Sequence, residues 1–274
     1  MNILILLSFT YLTIPYNGKI FASGTAFSTL RNEPENLFWN PAGMGKNAYI
    51  ASAYDYSGNI LGSFGKIWEK NNFNFGLGIQ LMHSESMDKT DMMGNSIGDF
   101  NYQSATPVIA GNWKRDKYLI GAKVILPYTS VDEYVSYGLG IELGGIYAIN
   151  DMLSFSFYIR NLGKQIKAFL SDKENFPVES RFGGLLKKEN LAFSLEYSSK
   201  FRICSFISYD INEIFGLTIG YNGKTGQFNG IRTSNFTGFS FGTNIKHRNI
   251  NISVGSIFTG PEGLSKTLSI SFIP

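Results

Sequence analysis

Residues with the types and spacing needed for chemistry are few in this 274-residue chain. The two histidines are His83 and His247, and Ser84 directly follows the first of them. A hydrolase could pair serine with histidine, but the sequence lacks the strand–turn–helix motif that exposes a nucleophilic serine. Adjacent side chains on a strand also point to opposite faces. The sequence therefore predicts no catalytic site, and we expect a protein that is not an enzyme.

Metal and cofactor sites have as little support. Glu85, Asp88 and Asp91 could bind a hard cation weakly, but they lack a recognisable ligand spacing, and a solvated cluster of loop charges explains them better. The single cysteine, Cys204, can form no internal disulfide. Phosphate-binding glycine patterns are absent from the sequence. We therefore expect neither a metal nor a cofactor.

Composition favours a membrane β-barrel over a helical enzyme. The chain contains 30 glycines and many aromatic residues, namely 23 Phe, 15 Tyr and 3 Trp. Glycine and aromatic residues spread over many short segments are typical of barrels. Charged residues make up only 16%, and the net charge is +3 without a basic block, which argues against nucleic-acid binding. Mean hydropathy near zero is compatible with strands of which only one face is apolar.

Apolar residues alternate with polar or small residues from residue 47 to the C-terminus. Clear examples are the runs 73–81, 153–159, 191–197 and 215–221. The pattern predicts about fourteen strands in an all-β, transmembrane antiparallel barrel that occupies residues 47–274. Short turns lie on one side, whereas the long loops 84–98, 162–177 and 223–235 all lie on the other, as outer-membrane barrels arrange them.

The same alternation predicts which charges point into the barrel. If the apolar set of each strand faces lipid, six charged side chains face the lumen: Asp55, Lys66, Lys123, Glu142, Arg160 and Glu196. Phe64 and Trp68 share the parity of Lys66, so its orientation is ambiguous. Three positive and three negative charges favour a paired polar interior over an ion-selective pore.

Two N-terminal segments precede the first strand. Residues 3–14 are largely apolar but too short to span a membrane, and Ile20-Phe21-Ala22 fits a cleavage site. We therefore predict a signal peptide at residues 1–22, although no Lys or Arg precedes the apolar run. Residues 23–46 are predicted to form a plug with a short helix and a rigid turn. An ordinary loop with a buried tryptophan is the alternative. The plug turn is assigned to Phe38, Trp39, Asn40, Pro41 and Gly43.

The segment GTAFSTLRNEPENLFWNPAGM at residues 24–44 resembles the N-terminal signature of the PorV/PorQ family of outer-membrane proteins, relatives of FadL-type barrels. The segments 140–147, 160–163 and 176–183 are similar to the family in the same order. The resemblance implies the bacterial outer membrane and contact with lipid and lipopolysaccharide. It also implies a non-catalytic part in type IX protein secretion, with cargo or other secretion components bound through the three long loops. The chain is shorter than the family leads us to expect, chiefly in these loops.

Three hypotheses about function follow. The first is the secretion role that the resemblance implies. The second is FadL-like passive transport of hydrophobic small molecules past a plug formed by residues 24–44. The third is a purely structural barrel. The polar residues expected inside the barrel argue mildly against the second hypothesis.

Overall fold

A computed structural model of the chain describes residues 9–56, 59–169, 173–200, 202–223, 236–259 and 263–274. The strands are β1 (Ala48–Tyr56), β2 (Asn59–Lys70), β3 (Phe73–His83), β4 (Met87–Thr90), β5 (Ser96–Phe100), β6 (Tyr102–Arg115), β7 (Tyr118–Ile125), β8 (Tyr128–Val131), β9 (Tyr134–Ala148), β10 (Leu153–Lys167), β11 (Glu179–Lys188), β12 (Leu191–Ser198), β13 (Arg202–Asp210), β14 (Phe215–Asn222), β15 (Phe239–His247), β16 (Ile250–Phe258) and β17 (Leu264–Phe272). The helix α1 spans Gly18–Ala22, and 3₁₀ turns span Thr10–Thr13, Pro34–Leu37 and Pro41–Gly43. Within the described ranges, no helix has the length and hydropathy needed to cross a membrane.

The strands form one closed antiparallel barrel. Sequence neighbours pair around the wall, β17 pairs with β1, and β9 pairs with both β7 and β10, which closes the sheet. β7 and β8 are two halves of one wall strand, interrupted at Leu126-Pro127, and both halves pair with β6. β4 and β5 form a separate hairpin. Over the described part of the chain, the barrel therefore has fourteen wall strands, which confirms the predicted fold and strand number.

Period-two alternation determines which face of each strand meets the membrane. In β12, Leu191, Phe193, Leu195 and Tyr197 are exposed on the outside, whereas the residues between them are buried. The other wall strands place exposed Leu, Ile, Val, Phe and Tyr side chains outside in the same way. A surface this apolar is stable only against lipid, because a soluble protein rarely exposes so large an apolar area. The wall of the barrel therefore crosses a membrane and contacts lipid.

The two ends of the barrel differ. At one end, here called the short-turn end, tight turns use left-handed residues such as Asn71, Asp116, Glu189 and Arg248, whose φ angles lie between 50° and 56°. The opposite, long-loop end carries the β4–β5 hairpin and residues 168–169 and 173–178. Of the predicted loop 223–235, residues 224–235 lie outside the described residues. The predicted loop 162–177 is shorter than expected, since β10 continues to Lys167.

Residues 9–46 lie inside the barrel and are mostly buried. Helix α1 packs against β14–β17, and the turn Pro41–Gly43 packs against β6, β7 and β9. The predicted signal peptide therefore overlaps a segment that is folded within the lumen: residues 9–22 contact the same wall as residues 23–46. We refer to residues 9–46 as the plug.

Candidate functional site: the lumen and its plug

The turn Asn40–Met44 fits against wall positions that have no side chain. Asn40 accepts a hydrogen bond from the Ala42 amide (3.1 Å) and donates one to the Ser28 carbonyl (2.7 Å), which fixes the turn. A Cβ added at Gly121 would lie 2.4 Å from the Ala42 nitrogen, and one at Gly144 would lie 1.8 Å from Asn40 Oδ1. The wall therefore admits this turn only where it carries glycine.

Asparagine side chains of the wall satisfy the carbonyls of the same turn. Asn112 Nδ2 lies 3.0 Å from both the Ala42 and the Met44 carbonyl oxygens, and Asn74 Nδ2 lies 3.1 Å from the latter. Buried carbonyls need such donors, because an unpaired polar group is costly away from water. Neutral amides thus hold the turn.

Phe38 packs on a second group of wall glycines. Its ring would lie within 2.7 Å of a Cβ added at Gly78 and 3.0 Å of one at Gly65. Together with Ile50, Val108, Ile125 and Phe176, it belongs to an apolar cluster that includes residues of the N-terminal segment. The cluster follows one side of the lumen, from Ile50 near the short-turn end to Phe176 at the long-loop end.

A buried ion pair lies beside Trp39. Lys123 Nζ is 2.5 Å from Glu142 Oε2 and donates a hydrogen bond to the Trp39 carbonyl (3.0 Å). The Tyr158 hydroxyl donates to the same Glu142 carboxylate. Lys123 and Glu142 are each at most 3% exposed, so each compensates a charge that would be expensive to bury alone.

A second charged cluster holds the segment Thr25–Thr29. Arg181 lies 3.1 Å from Glu179 and 3.6 Å from Glu196, and its Nη1 donates to the Thr25 carbonyl (2.7 Å). Glu196 accepts a hydrogen bond from the Ser28 amide at 2.6 Å. The ion pairs of the wall are therefore tied directly to the plug backbone.

Trp39 is buried between two arginines. The guanidinium carbons of Arg160 and Arg181 lie 4.5 Å and 5.0 Å from its ring, within the range of cation–π attraction. Arg160 also donates to the Leu12 carbonyl, and its Nε and Nη1 have no hydrogen-bond partner among the described residues. Trp39 thus joins the charged clusters to the apolar part of the plug.

The structure places four of the six predicted lumen charges inside the barrel: Lys123, Glu142, Arg160 and Glu196. The inward orientation predicted for Asp55 and Lys66 is wrong. Tyr54 faces inward against Phe21, with ring centroids 4.7 Å apart, so its neighbour Asp55 points outward, opposite Lys266 of β17. Lys66 follows Phe64 and Trp68 to the outside, where its ammonium lies over the rings of Tyr49 (4.6 Å) and Trp68 (5.0 Å).

Two buried charges of the wall strands were missed in the sequence, Glu179 and Arg181. A usable signal was present, because exposed Phe182 and Leu186 have the opposite parity in β11. With these two in place of Asp55 and Lys66, the clusters around Trp39 still contain three positive and three negative side chains.

A third cluster lies at the short-turn end of the plug. Lys19 Nζ and Glu33 Oε2 are 2.5 Å apart, and Lys114 donates to Asn32 nearby (2.7 Å). Burial raises the pKa of Glu35 to about 7 and outweighs the lowering by Lys19. Burial lowers the pKa of Lys19, but Glu33 and Glu35 raise it more, so the net shift is upward. Glu35 is thus the plug carboxylate whose charge changes near neutral pH.

The long-loop end of the lumen contains a cavity of about 120 Å³ next to the N-terminal segment. Its walls combine apolar and cationic side chains: Ile14, Phe21, Tyr54, Ile257, Arg181 and Arg202. Above the plug, Phe176 packs on Phe9 with ring centroids 4.7 Å apart. In the described residues we find no cluster of three or more His, Cys, Asp or Glu that could hold a metal ion.

Comparison with solved structures relates this arrangement to known barrels. The fold matches the toluene transporter TbuX of Ralstonia pickettii with a TM-score of 0.64 at 10% identity, covering 93% of this chain and 96% of that one. A FadL homologue of Pseudomonas aeruginosa matches with 0.63 at 11% identity, covering 94% and 98%. The toluene transporter TodX of Pseudomonas putida also matches with 0.63 at 11% identity, covering 94% and 97%. No protein-family model and no curated protein sequence matches the chain. The likeness is therefore one of fold, and the protein is a FadL-like barrel of the bacterial outer membrane, whose wall contacts lipid and lipopolysaccharide.

Proposed function

We propose that the protein carries small hydrophobic molecules, about the size of a monoaromatic compound, passively through the outer membrane. The observation that carries this proposal is the apolar cluster along the lumen, which adjoins a cavity at the long-loop end. A protein cavity of ~150 Å³ lined by apolar side chains is known to hold benzene. The cavity of about 120 Å³ is close to that size.

The fold supports the same proposal. TbuX and TodX, whose barrels this chain resembles over nearly their whole length, are toluene transporters. The secretion role implied by the resemblance to PorV/PorQ proteins has no comparable support among the contacts or the solved structures described above. Of the three hypotheses, transport therefore explains most of the lumen.

The charged clusters fit this role because they balance. Three cations and three anions around Trp39 are compensated by one another and by plug carbonyls. They therefore create no field of one sign that would select an ion. In this proposal the charged clusters hold the plug, and the hydrophobic molecule passes along the apolar side of the lumen.

Uptake by cells tests the proposal. Gram-negative cells that express the protein should take up radiolabelled toluene several-fold faster than cells with an empty vector. The uptake of a charged solute of similar size should stay unchanged. Equal toluene uptake in both strains would contradict the proposal.

A pair of variants on one strand sharpens the test. Ile257 lines the cavity, whereas Val254 of the same strand faces lipid. Ile257→Trp should fill the cavity and lower toluene uptake several-fold at an equal amount of barrel, and Val254→Trp should leave it unchanged. The secretion hypothesis predicts that neither substitution changes the secretion of cargo proteins. It also predicts that deletion of the β4–β5 hairpin stops that secretion.

A further inference from the structure

Wall glycines on neighbouring strands face helix α1. A Cβ added at Gly255 of β16 would lie 2.0 Å from the Gly18 carbonyl oxygen, and one at Gly220 of β14 would lie 2.4 Å from the Gly24 nitrogen. At Gly242 of β15 it would meet the Ala22 Cβ at 2.5 Å and the Val254 carbonyl at 2.4 Å. Real Cβ atoms essentially never come within 3.0 Å of such neighbours. The wall thus leaves a space that the backbone of residues 18–24 fills.

The helix fits the wall from its own side as well. A Cβ added at Gly18 would lie 2.5 Å from the Ser253 carbonyl, and the Gly18 amide donates to Ser269 Oγ (3.2 Å). The Ser240 hydroxyl donates to the Ala22 carbonyl (3.0 Å). Asn17 caps the helix by accepting from the Lys19 amide (2.9 Å). Residues Asn17–Ser23 are thus matched to β14–β17 in both shape and polarity.

The preceding segment, Phe9–Tyr16, lacks this match. No described glycine has an atom of residues 9–16 among the nearest neighbours of its added Cβ. The segment contacts side chains instead: Phe9 meets Phe176, the Tyr11 hydroxyl meets Thr106 (3.1 Å), and Arg160 donates to the Leu12 carbonyl. The described wall glycines therefore make close contacts with the plug from Gly18 onward, but not with residues 9–16.

We infer that Asn17–Ser23 is a permanent part of the mature plug, so that the leader is cut before Asn17 and not after Ala22. The cut is the hydrolysis of one peptide bond by a signal peptidase, in which water supplies the hydroxyl of the new carboxylate and the hydrogen of the new amine. A leader peptide that is cleaved off and lost does not require glycine at the wall positions it once faced. Gly255, whose added Cβ would lie 2.0 Å from the Gly18 carbonyl oxygen and 2.9 Å from the Ala22 nitrogen, requires an occupant that stays.

The N-terminus of the mature protein decides the matter. The full chain with a C-terminal tag is expressed in a Gram-negative host, and the protein from the outer membrane is analysed by N-terminal sequencing and intact mass. We expect the first residue at Asn17 or before it. A first residue at Ser23, or anywhere after Asn17, would overturn the inference.

Two further measurements apply to the same preparation. Gly255→Leu should lower the yield of heat-modifiable barrel several-fold, because its side chain meets the helix. Gly145→Leu is the control, since a Cβ there meets nothing within 4 Å. A normal yield of Gly255→Leu would show that the helix position is empty and would overturn the inference.

A disulfide tests retention directly, in a Cys204→Ser background. The pair Lys19→Cys and Glu33→Cys, whose parent side chains touch, should cross-link in the oxidising periplasm. The pair Lys19→Cys and Asp55→Cys should not, because Asp55 lies outside the barrel. If the mature protein of the first pair contains a single thiol, residue 19 has been removed and the inference fails. Toluene uptake does not enter these readouts, so the inference stands or falls apart from the proposed function.

Discussion

The turn Asn40–Met44 and the segment Thr25–Thr29 both pack on the barrel wall, but the wall meets them with different chemistry. Glycines and neutral asparagines receive the turn, through a close fit and hydrogen bonds to carbonyls. Charged side chains hold the segment, with Arg181 and Glu196 bonded to its backbone. The contact with the turn should be destabilised when an atom is added to a wall glycine. The contact with the segment Thr25–Thr29 should be destabilised when a charge is removed. The predictions below remove buried charges or add atoms around the plug, beginning with the largest expected effect.

Removing one charge of a buried pair should have the largest effect. Glu142→Leu leaves Lys123 without a counter-charge and should lower the free energy of unfolding by about 3–5 kcal/mol. The double variant with Lys123→Met should recover most of this loss, since no unpaired charge remains. Unfolding by urea in lipid vesicles measures both.

Asp55 provides the control for that experiment. Because Asp55 is exposed on the outside, Asp55→Leu should change the unfolding free energy by no more than ~0.5 kcal/mol. A loss as large as that of Glu142→Leu would mean that the orientation of β1 is wrong.

Adding one methyl group where the wall contacts the turn Asn40–Met44 should lower the free energy of unfolding by a smaller amount. Gly121→Ala places a Cβ against the backbone of Pro41 and Ala42, which cannot move aside as a side chain can. Overpacking of this kind costs about 1–3 kcal/mol. Gly145→Ala, next to the pairing partner of Gly121, meets open space and serves as the matched control. Equal unfolding midpoints for the two variants would refute the close fit.

The sequence predicted the barrel because alternation repeats through every strand, and a repeated signal tolerates local errors. The orientation of single residues depends on fewer signals. In β1, apolar residues occupy both parities, and contacts with the plug, such as that of Tyr54 with Phe21, show which face is inside. That contact joins residues from a strand and from the predicted signal peptide. Alternation within β1 could not reveal it.

The plug shows the same limit more clearly. Asn40 and Pro41 signal a tight turn locally, so the turn was predictable. The partners of the plug lie far along the chain: Ser28 bonds Glu196, and Gly18 bonds Ser269. Single-sequence patterns carry no information about such pairs. The apolar N-terminal run consequently resembled a leader up to Ala22, although part of it has partners in the wall.

The stability contributed by the cluster of Lys19, Glu33 and Glu35 at the short-turn end of the plug should depend on pH. Burial raises the pKa of Glu35 to about 7, above its ordinary value of 4.5. Such a group contributes stability that is fully present below pH 4.5 and is lost as the pH rises through about 7. Between pH 5 and 8 the unfolding midpoint should therefore fall in the native protein, and it should fall less in Glu35→Gln. Asp210→Asn, at a half-exposed side chain that pairs with Lys246, is the control. Parallel pH profiles for the native protein and Glu35→Gln would contradict the raised pKa.

Trp39→Phe should have the smallest effect and shows whether Trp39 belongs to the charged network. The indole Nε1 has no hydrogen-bond partner among the described residues, so the substitution breaks no hydrogen bond of that group. A phenyl ring keeps an aromatic face for Arg160 and Arg181 but attracts cations less strongly than indole and fills less volume. We expect a loss of about 1 kcal/mol, against no measurable loss for Trp68→Phe on the outside. A double-mutant cycle completes the test, because groups in one network are not additive whereas distant groups are. Trp39→Phe should couple to Glu142→Leu, since the Trp39 carbonyl bonds Lys123, and should be additive with Gly121→Ala. Additivity with Glu142→Leu would separate Trp39 from the charged network.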